Sequence, residues 1–281
     1  GNINSPLLIG RKKGKNQKFL HCNFFPKNSN GQLTLFVIVA IVIVGFAVLA
    51  YLFFPRILVT FGISSGNPNE FIQTCIEKTI KDAVENISVQ GGSLNPENYI
   101  LYKDNKIQYL CYTENYYVPC VAQQPLLKQH IENEISRGIK NDADSCFDEM
   151  KKSFEGQGYD VNMKRGDTII ELLPKKISVA FNNDLTLTKD SAKRYEKINV
   201  VLNNNLYELT SIANSITNWE ARYGNAETTL YMNYYHDLKV EKLLQGDGSK
   251  IYILTDRNSG NKFQFASRSV VMPPGISGGV V

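Results

Sequence analysis

Three hydrophobic patterns alternate along this chain. The first is a block: residues 33–54, LTLFVIVAIVIVGFAVLAYLFF, hold no charge and only two hydroxyls, those of Thr34 and Tyr51. At ~1.5 Å per residue, a helix of this length covers about 33 Å, enough for a ~30 Å hydrocarbon core. The second pattern is apolar spacing of three and four. Asn67-Pro68-Asn69-Glu70 reads as a helix start, with Asn as cap, Pro first and Glu three residues after the cap. Phe71, Ile72, Cys75, Ile76, Ile80, Ala83, Val84 and Ile87 then share one face, and Gly91-Gly92 ends the helix. The same spacing predicts a helix from Leu126 to Ile139 and a second from Asp144 to Gly156. It also predicts a long amphipathic helix from Lys193 to Tyr223, whose apolar face runs from Ile198 to Trp219 before Gly224 closes it. The third pattern is the short β-branched run. It predicts a hairpin, Tyr99–Tyr102 with Lys106–Tyr112, around Asp104-Asn105, and strands at Tyr159–Met163, Thr168–Leu173 and Ile177–Phe181. A closing meander is predicted at Leu238–Leu244, Ile251–Thr255 and Phe263–Ser267, with turns at Gly246-Asp247-Gly248 and Asn258-Ser259-Gly260.

Helices and antiparallel strands in mixed order, without a βαβ rhythm, make the fold class α+β. The expected whole is an N-terminal transmembrane helix followed by a disulfide-bearing ectodomain. Its parts are a basic leader (1–31), the span (32–56), a linker (57–66), a helix-rich disulfide-tied part (67–157), an α+β part ending in the meander (158–272) and a Gly-rich flexible tail (273–281).

Charge decides which way the span faces. Residues 1–31 carry Arg11, Lys12, Lys13, Lys15, Lys18 and Lys27 with no acid, while the net charge of the whole chain is +4, so the rest is mildly acidic. Basic residues before the span and only Arg56 just after it place the N-terminus in the cytoplasm and the body outside. A mildly acidic body without a clustered basic face argues against nucleic acid as a partner. The apolar block exceeds the ~7–15 residues of a secretory signal and no small-x-small cleavage site follows it, so the expectation is a retained anchor in the bilayer.

Cysteine parity points the same way. Of five cysteines, Cys22 precedes the span, leaving an even set outside: Cys75, Cys111, Cys120 and Cys146. Four cysteines allow three connectivities. The favoured one joins Cys111 to Cys120, between two strand-like runs, and Cys75 to Cys146, between two helices. Their spacings include no CxxC element, so no metal site is expected. Asn86-Ile87-Ser88 is an acceptor pattern for glycosylation.

The residues Gly31-Gln32-Leu33-Thr34-Leu35-Phe36, behind a basic leader and ahead of an unbroken apolar run, resemble archaeal type IV pilin-like leaders with class III signal peptides. The resemblance implies cleavage between Gly31 and Gln32 and a span that stays with the body. Asn30 stands where that family usually has Lys or Arg, and Phe36 where many bacterial pilins have Glu. Glu70 to Gly92, EFIQTCIEKTIKDAVENISVQGG, resembles uncharacterised membrane-anchored proteins of small-genome archaea, which implies an archaeal surface protein and no particular activity.

Catalytic motifs are scarce. Neither a phosphate-binding GxxxxGK[ST] nor HExxH occurs, and Gly275-Ile276-Ser277-Gly278-Gly279 lacks the strand and helix that a nucleophile elbow needs. His130 reads as a helix-surface or core residue. The paired carboxylates Asp142/Asp144 and Glu132/Glu134 read as solvated faces. The stretch Tyr231-Met232-Asn233-Tyr234-Tyr235-His236 reads first as a helix-to-strand corner packing its tyrosines inward. As a ligand surface, Tyr231, Tyr234, Tyr235 and His236 would suit a carbohydrate or peptide. The expectation is therefore a non-enzymatic, cofactor-free surface protein with a structural or interaction role, pilin-like if it self-associates or else bound to another surface protein. The alternatives are an anchored hydrolase of surface polymers, signalled by a histidine within reach of a Ser, Cys or carboxylate in a cleft, and a solute-binding or transporter-accessory domain, signalled by a roomy pocket.

Overall fold

The computed structural model describes residues 37–46, 48 and 66–271. The chain divides into two compact units between Ile63 and Ser64. In the first, residues 37–46 form a helix, α1, whose Ile41, Ile43, Val44 and Phe46 are mostly exposed. Among the described residues no helix is long and apolar enough to cross a membrane. Most of the expected span, the leader with Gly31 and Gln32, the serine string at 275–279 and the tail lie outside the described residues.

The second unit is α+β. Its first helix, α2 (Pro68–Val89), starts where Asn67 Oδ1 accepts from the Asn69 N–H at 3.1 Å, and it buries Ile72, Ile76, Ile80, Ala83, Val84 and Ile87. It stops at Gly91 and Gly92, both at positive φ; a Cβ on Gly91 would lie 2.8 Å from Gln108 Cβ, so only glycine fits there. A hairpin follows, β1 (Tyr99–Tyr102) and β2 (Asn105–Tyr112), turning on Lys103-Asp104, both left-handed. After the short β3 (Val121–Ala122), α3 (Leu127–Gly156) runs unbroken for 30 residues. Two helices were expected here. The inward stripe Ile135, Ile139, Ala143, Cys146, Phe147, Met150 never loses its spacing, so polar Asn141 and Asp142 interrupt nothing.

Three long strands come next: β4 (Asp160–Leu173), β5 (Lys176–Thr188) and β6 (Ala192–Asn203), an antiparallel sheet in that order. The two expected strands at 159–173 are one, bent by a bulge between Arg165 and Thr168 where a Cβ on Gly166 would meet Asn182 O at 2.6 Å. The long helix expected from Lys193 is also corrected. Residues 192–203 are strand β6, burying Ile198, Val200 and Leu202 with a period of two, and the helix α4 is only Leu206–Tyr223. A short α5 (Thr228–Tyr234) leads into the meander β7 (Leu238–Leu244), β8 (Ser249–Asp256) and β9 (Lys262–Arg268).

The second sheet joins both ends of the unit. Its order is β1-β2-β9-β8-β7, with β3 also on β2, and β2 runs parallel to β9 while its other pairs are antiparallel. One core, from Ile72 on α2 to Phe265 on β9, packs α2, α3 and α4 with both sheets. Residues 157 and 158 form a turn within the second unit, whose strand β9 pairs with β2. On the other face of the meander sheet Ile107, Tyr109, Ile251 and Ala266 form a small second cluster.

Candidate functional site

The apolar stripe of α4 (Leu209, Ile212, Ala213, Ile216) reaches Glu220 at its next inward position, while Trp219 points outward and is 42% exposed. Sequence spacing had assigned Trp219 to the apolar face. Glu220 is 0% exposed, and all its neighbours are donors. Its Oε1 accepts from Tyr252 Oη at 2.5 Å and the Ala226 N–H at 2.9 Å. Its Oε2 accepts from Lys250 Nζ at 2.7 Å and Ser267 Oγ at 3.1 Å. Lys250 also donates to the Gly224 carbonyl. The network continues outward: Ser269 Oγ donates to the Glu220 carbonyl at 2.8 Å and accepts from the Cys120 N–H at 2.9 Å. The carboxylate of Glu220 thereby ties the end of α4 to strands β8 and β9, and its backbone carbonyl reaches Cys120 through Ser269.

Electrostatics at this hub are those of a satisfied buried pair. Burial pushes the Lys250 ammonium below the usual lysine range, and the adjacent Glu220 carboxylate opposes that. Burial, reinforced by the Glu220 charge, holds the Tyr252 phenol protonated. Glu220 accepts all four of these bonds, so its carboxylate is built as an acceptor that ties its neighbours together. Among the described residues no cluster of His, Cys, Asp and Glu is arranged to hold a metal.

A second polar centre lies where α2 ends. Ser93, directly after the two positive-φ glycines, sits 2.7 Å from His130 Nε2 on α3. One turn further along α3, Glu134 is buried, pairs with Arg137 and accepts from the Leu94 N–H at 2.9 Å. Burial and the Arg137 charge push His130 below its ordinary value, so the ring is neutral at pH 7. This is the Ser–His proximity that would signal a hydrolase. However, Ser93 is only 5% exposed, and the described hydrogen bonds give His130 no carboxylate to orient it. Two other expected solvated carboxylates are also bound: Glu132 Oε1 accepts from the Leu172 N–H at 2.8 Å and Asp144 pairs with Arg165 at 2.8 Å. Glu132 and Glu134 thus turn inward to backbone N–H groups, whereas Asp142 is exposed and Asp144 stays half exposed beside its cation, the solvated face expected of them.

The other expected residues fall as follows. Cys75 is bonded to Cys146, joining α2 to α3, and Cys111 to Cys120, joining β2 to β3, with Cα separations of 5.9 and 5.3 Å that suit disulfides. Asn86 is exposed on α2, with Ser88 buried beneath it. The tyrosine corner is divided. Tyr231 packs against the core and shares a 2.8 Å hydrogen bond with Ser215, whereas Tyr234, 78% exposed, Tyr235 and His236 face outward, so the corner does not bury its tyrosines as a set. α5 is only two turns long and turns one side to α4. A cavity of about 410 Å³ opens between the start of α3 and α4, lined by Leu126, Lys128, Gln129, Tyr207, Ser211 and Asn214 among others.

No protein-family model matches the chain, and neither a curated protein nor a solved structure is significantly similar to it. Sequence reasoning missed the Glu220 hub. Its signal was an acidic residue at an apolar helical position, one step beyond Ile216.

Proposed function

We propose that this chain is a single-pass membrane-anchored protein whose body works outside the cytoplasm in a structural or interaction role. The observation that carries the reading is that all four body cysteines stand in two bonded pairs, an arrangement suited to an oxidising compartment. The apolar, mostly exposed α1 supports it further, since such a surface calls for lipid or for other copies of itself. The basic leader sets the N-terminus in the cytoplasm. A cut after Gly31 would leave a pilin-like subunit beginning at Gln32; without it the chain is a plain anchored surface domain.

The test is the intact mass of the protein extracted from its native membranes, with and without reduction before alkylation. Four cysteines that take label only after reduction are expected, with a mass beginning at Gln32 for the pilin-like form and one including residues 1–31 for the plain anchor. Four cysteines that label without reduction would place the body in a reducing compartment and end the reading.

A further inference from the structure

We infer that the loop closed by the Cys111–Cys120 disulfide, together with the end of α4, is a preformed binding surface for a neutral oligosaccharide. The inference does not depend on how the chain is anchored. Residues 114–119 are all exposed, yet the loop is held from several sides. Thr113 N–H donates to the Arg268 carbonyl at 3.1 Å, the Val270 N–H donates to the Val118 carbonyl at 3.0 Å, and the disulfide closes the base. Tyr117 sits at φ 61°, in the left-handed region that a tyrosine rarely occupies, and the residue is 59% exposed. A chain that fixes an aromatic side chain in strained backbone and then leaves it in water gains nothing for its own core. Such preorganisation lowers the ordering cost of binding a ligand.

The same anchor brings in a second aromatic pair. Val270, which bonds Val118, lies against Gly224: a Cβ there would fall 2.0 Å from its side chain. Directly before Gly224 stands Tyr223, 62% exposed, its ring 4.7 Å from that of Trp219. Tyr116 bridges Val271, Tyr117 precedes the Val118 that bonds Val270, and Tyr223 precedes the Gly224 on which Val270 lies, so the two aromatic pairs are both anchored on residues 270 and 271. The charges nearby cancel. Arg268 donates to the Asp247 carbonyl and lies over Tyr116, Lys242 bonds Asn225 and the Ala226 carbonyl next to Glu227, and the exposed Glu114 and Arg222 are of opposite sign. The patch thus offers no net field for an anionic polymer, but it offers flat rings with exposed amides, Asn115 and Asn218, beside them. Sugar rings present apolar C–H faces and hydroxyl edges, and exposed Tyr and Trp, apolar on one side and wet on the other, match both.

Trp219 is the single tryptophan of the chain, so the patch carries its own reporter. The experiment is titration of the full chain in amphipol with mannohexaose, cellohexaose and chitohexaose, reading Trp219 emission. A saturable change with at least one of them is expected, weakened at least tenfold by Tyr117→Gly, which relieves the backbone, and by Tyr223→Ser on the separate helix. Silence with all three sugars would overturn the proposal. So would a response that both variants retain, or one seen only with heparin or only with phosphatidylglycerol vesicles.

Discussion

The body has two polar centres, one at the far end of the helix pair that Cys75–Cys146 joins and one bonded to the backbone of Cys120, and they are built in opposite ways. At the α2–α3 pair the covalent link is long-range: Cys75 and Cys146 are 71 residues apart, while the Ser93–His130 contact near the same helices is light and only part-buried. At the α4–meander end the disulfide spans nine residues, and the polar hub on Glu220 is completely buried with four donors. Chain entropy ranks the two bonds: closing the longer loop stabilises by about 4.4 kcal/mol, the shorter by about 2.6 kcal/mol. Over one shared hydrophobic core, the α2–α3 end thus adds a long-range crosslink, and the α4–meander end a buried ion pair whose neighbouring crosslink closes a loop.

The largest loss is expected from Glu220→Ala. It strands the Lys250 ammonium in the core along with three other donors, and should cost about 5 kcal/mol in urea unfolding followed by Trp219 emission. The double variant Glu220→Leu/Lys250→Met should recover most of that, because it removes both charges; a double variant as unstable as the single one would deny that the pair is a charge-balanced unit. Next comes the Cys75→Ser/Cys146→Ser pair, at about 4 kcal/mol, with Cys111→Ser/Cys120→Ser at about 2.5 kcal/mol. The reverse ranking would mean that the short loop is the stronger brace. The smallest effect concerns pH. His130 titrates below its ordinary value when folded, so under acid the unfolded chain binds a proton that the native chain refuses. Its contribution is therefore complete above about pH 6.5 and is lost as pH falls through that value. Melting temperatures measured from pH 7.5 down to 5.5 should fall less steeply for His130→Gln than for the parent.

Much of this architecture can be read from local pattern. The cap at Asn67, the glycine stop at 91–92 and the three meander strands need only neighbouring residues, and the structure has all of them. The errors arise where two periods overlap. In KINVVLN the apolar residues satisfy both helical and strand spacing, and it is pairing with β5, from Ile177↔Leu202 to Phe181↔Ile198, that selects the strand. The hub was hidden for a different reason: Lys250, Tyr252 and Ser267 lie 30 to 47 residues from Glu220, and only the folded sheet gathers them. Likewise Tyr117 reads as an ordinary loop residue until its backbone angle is known.

The position of β9 has a consequence for the order of events during synthesis. It lies between β2 and β8, inside the sheet, yet among the described strands it is the last to leave the ribosome. Until Phe263 and Phe265 arrive, β2 and β8 each keep an unpaired edge, and Glu220 lacks Ser267. The Cys75–Cys146 helices, by contrast, are complete more than 100 residues earlier. A nascent chain therefore carries a finished helical half for as long as its sheet remains open, and it closes that sheet only by a non-local pairing, the slow kind of folding step. A cut before Lys262 would leave the sheet open for good.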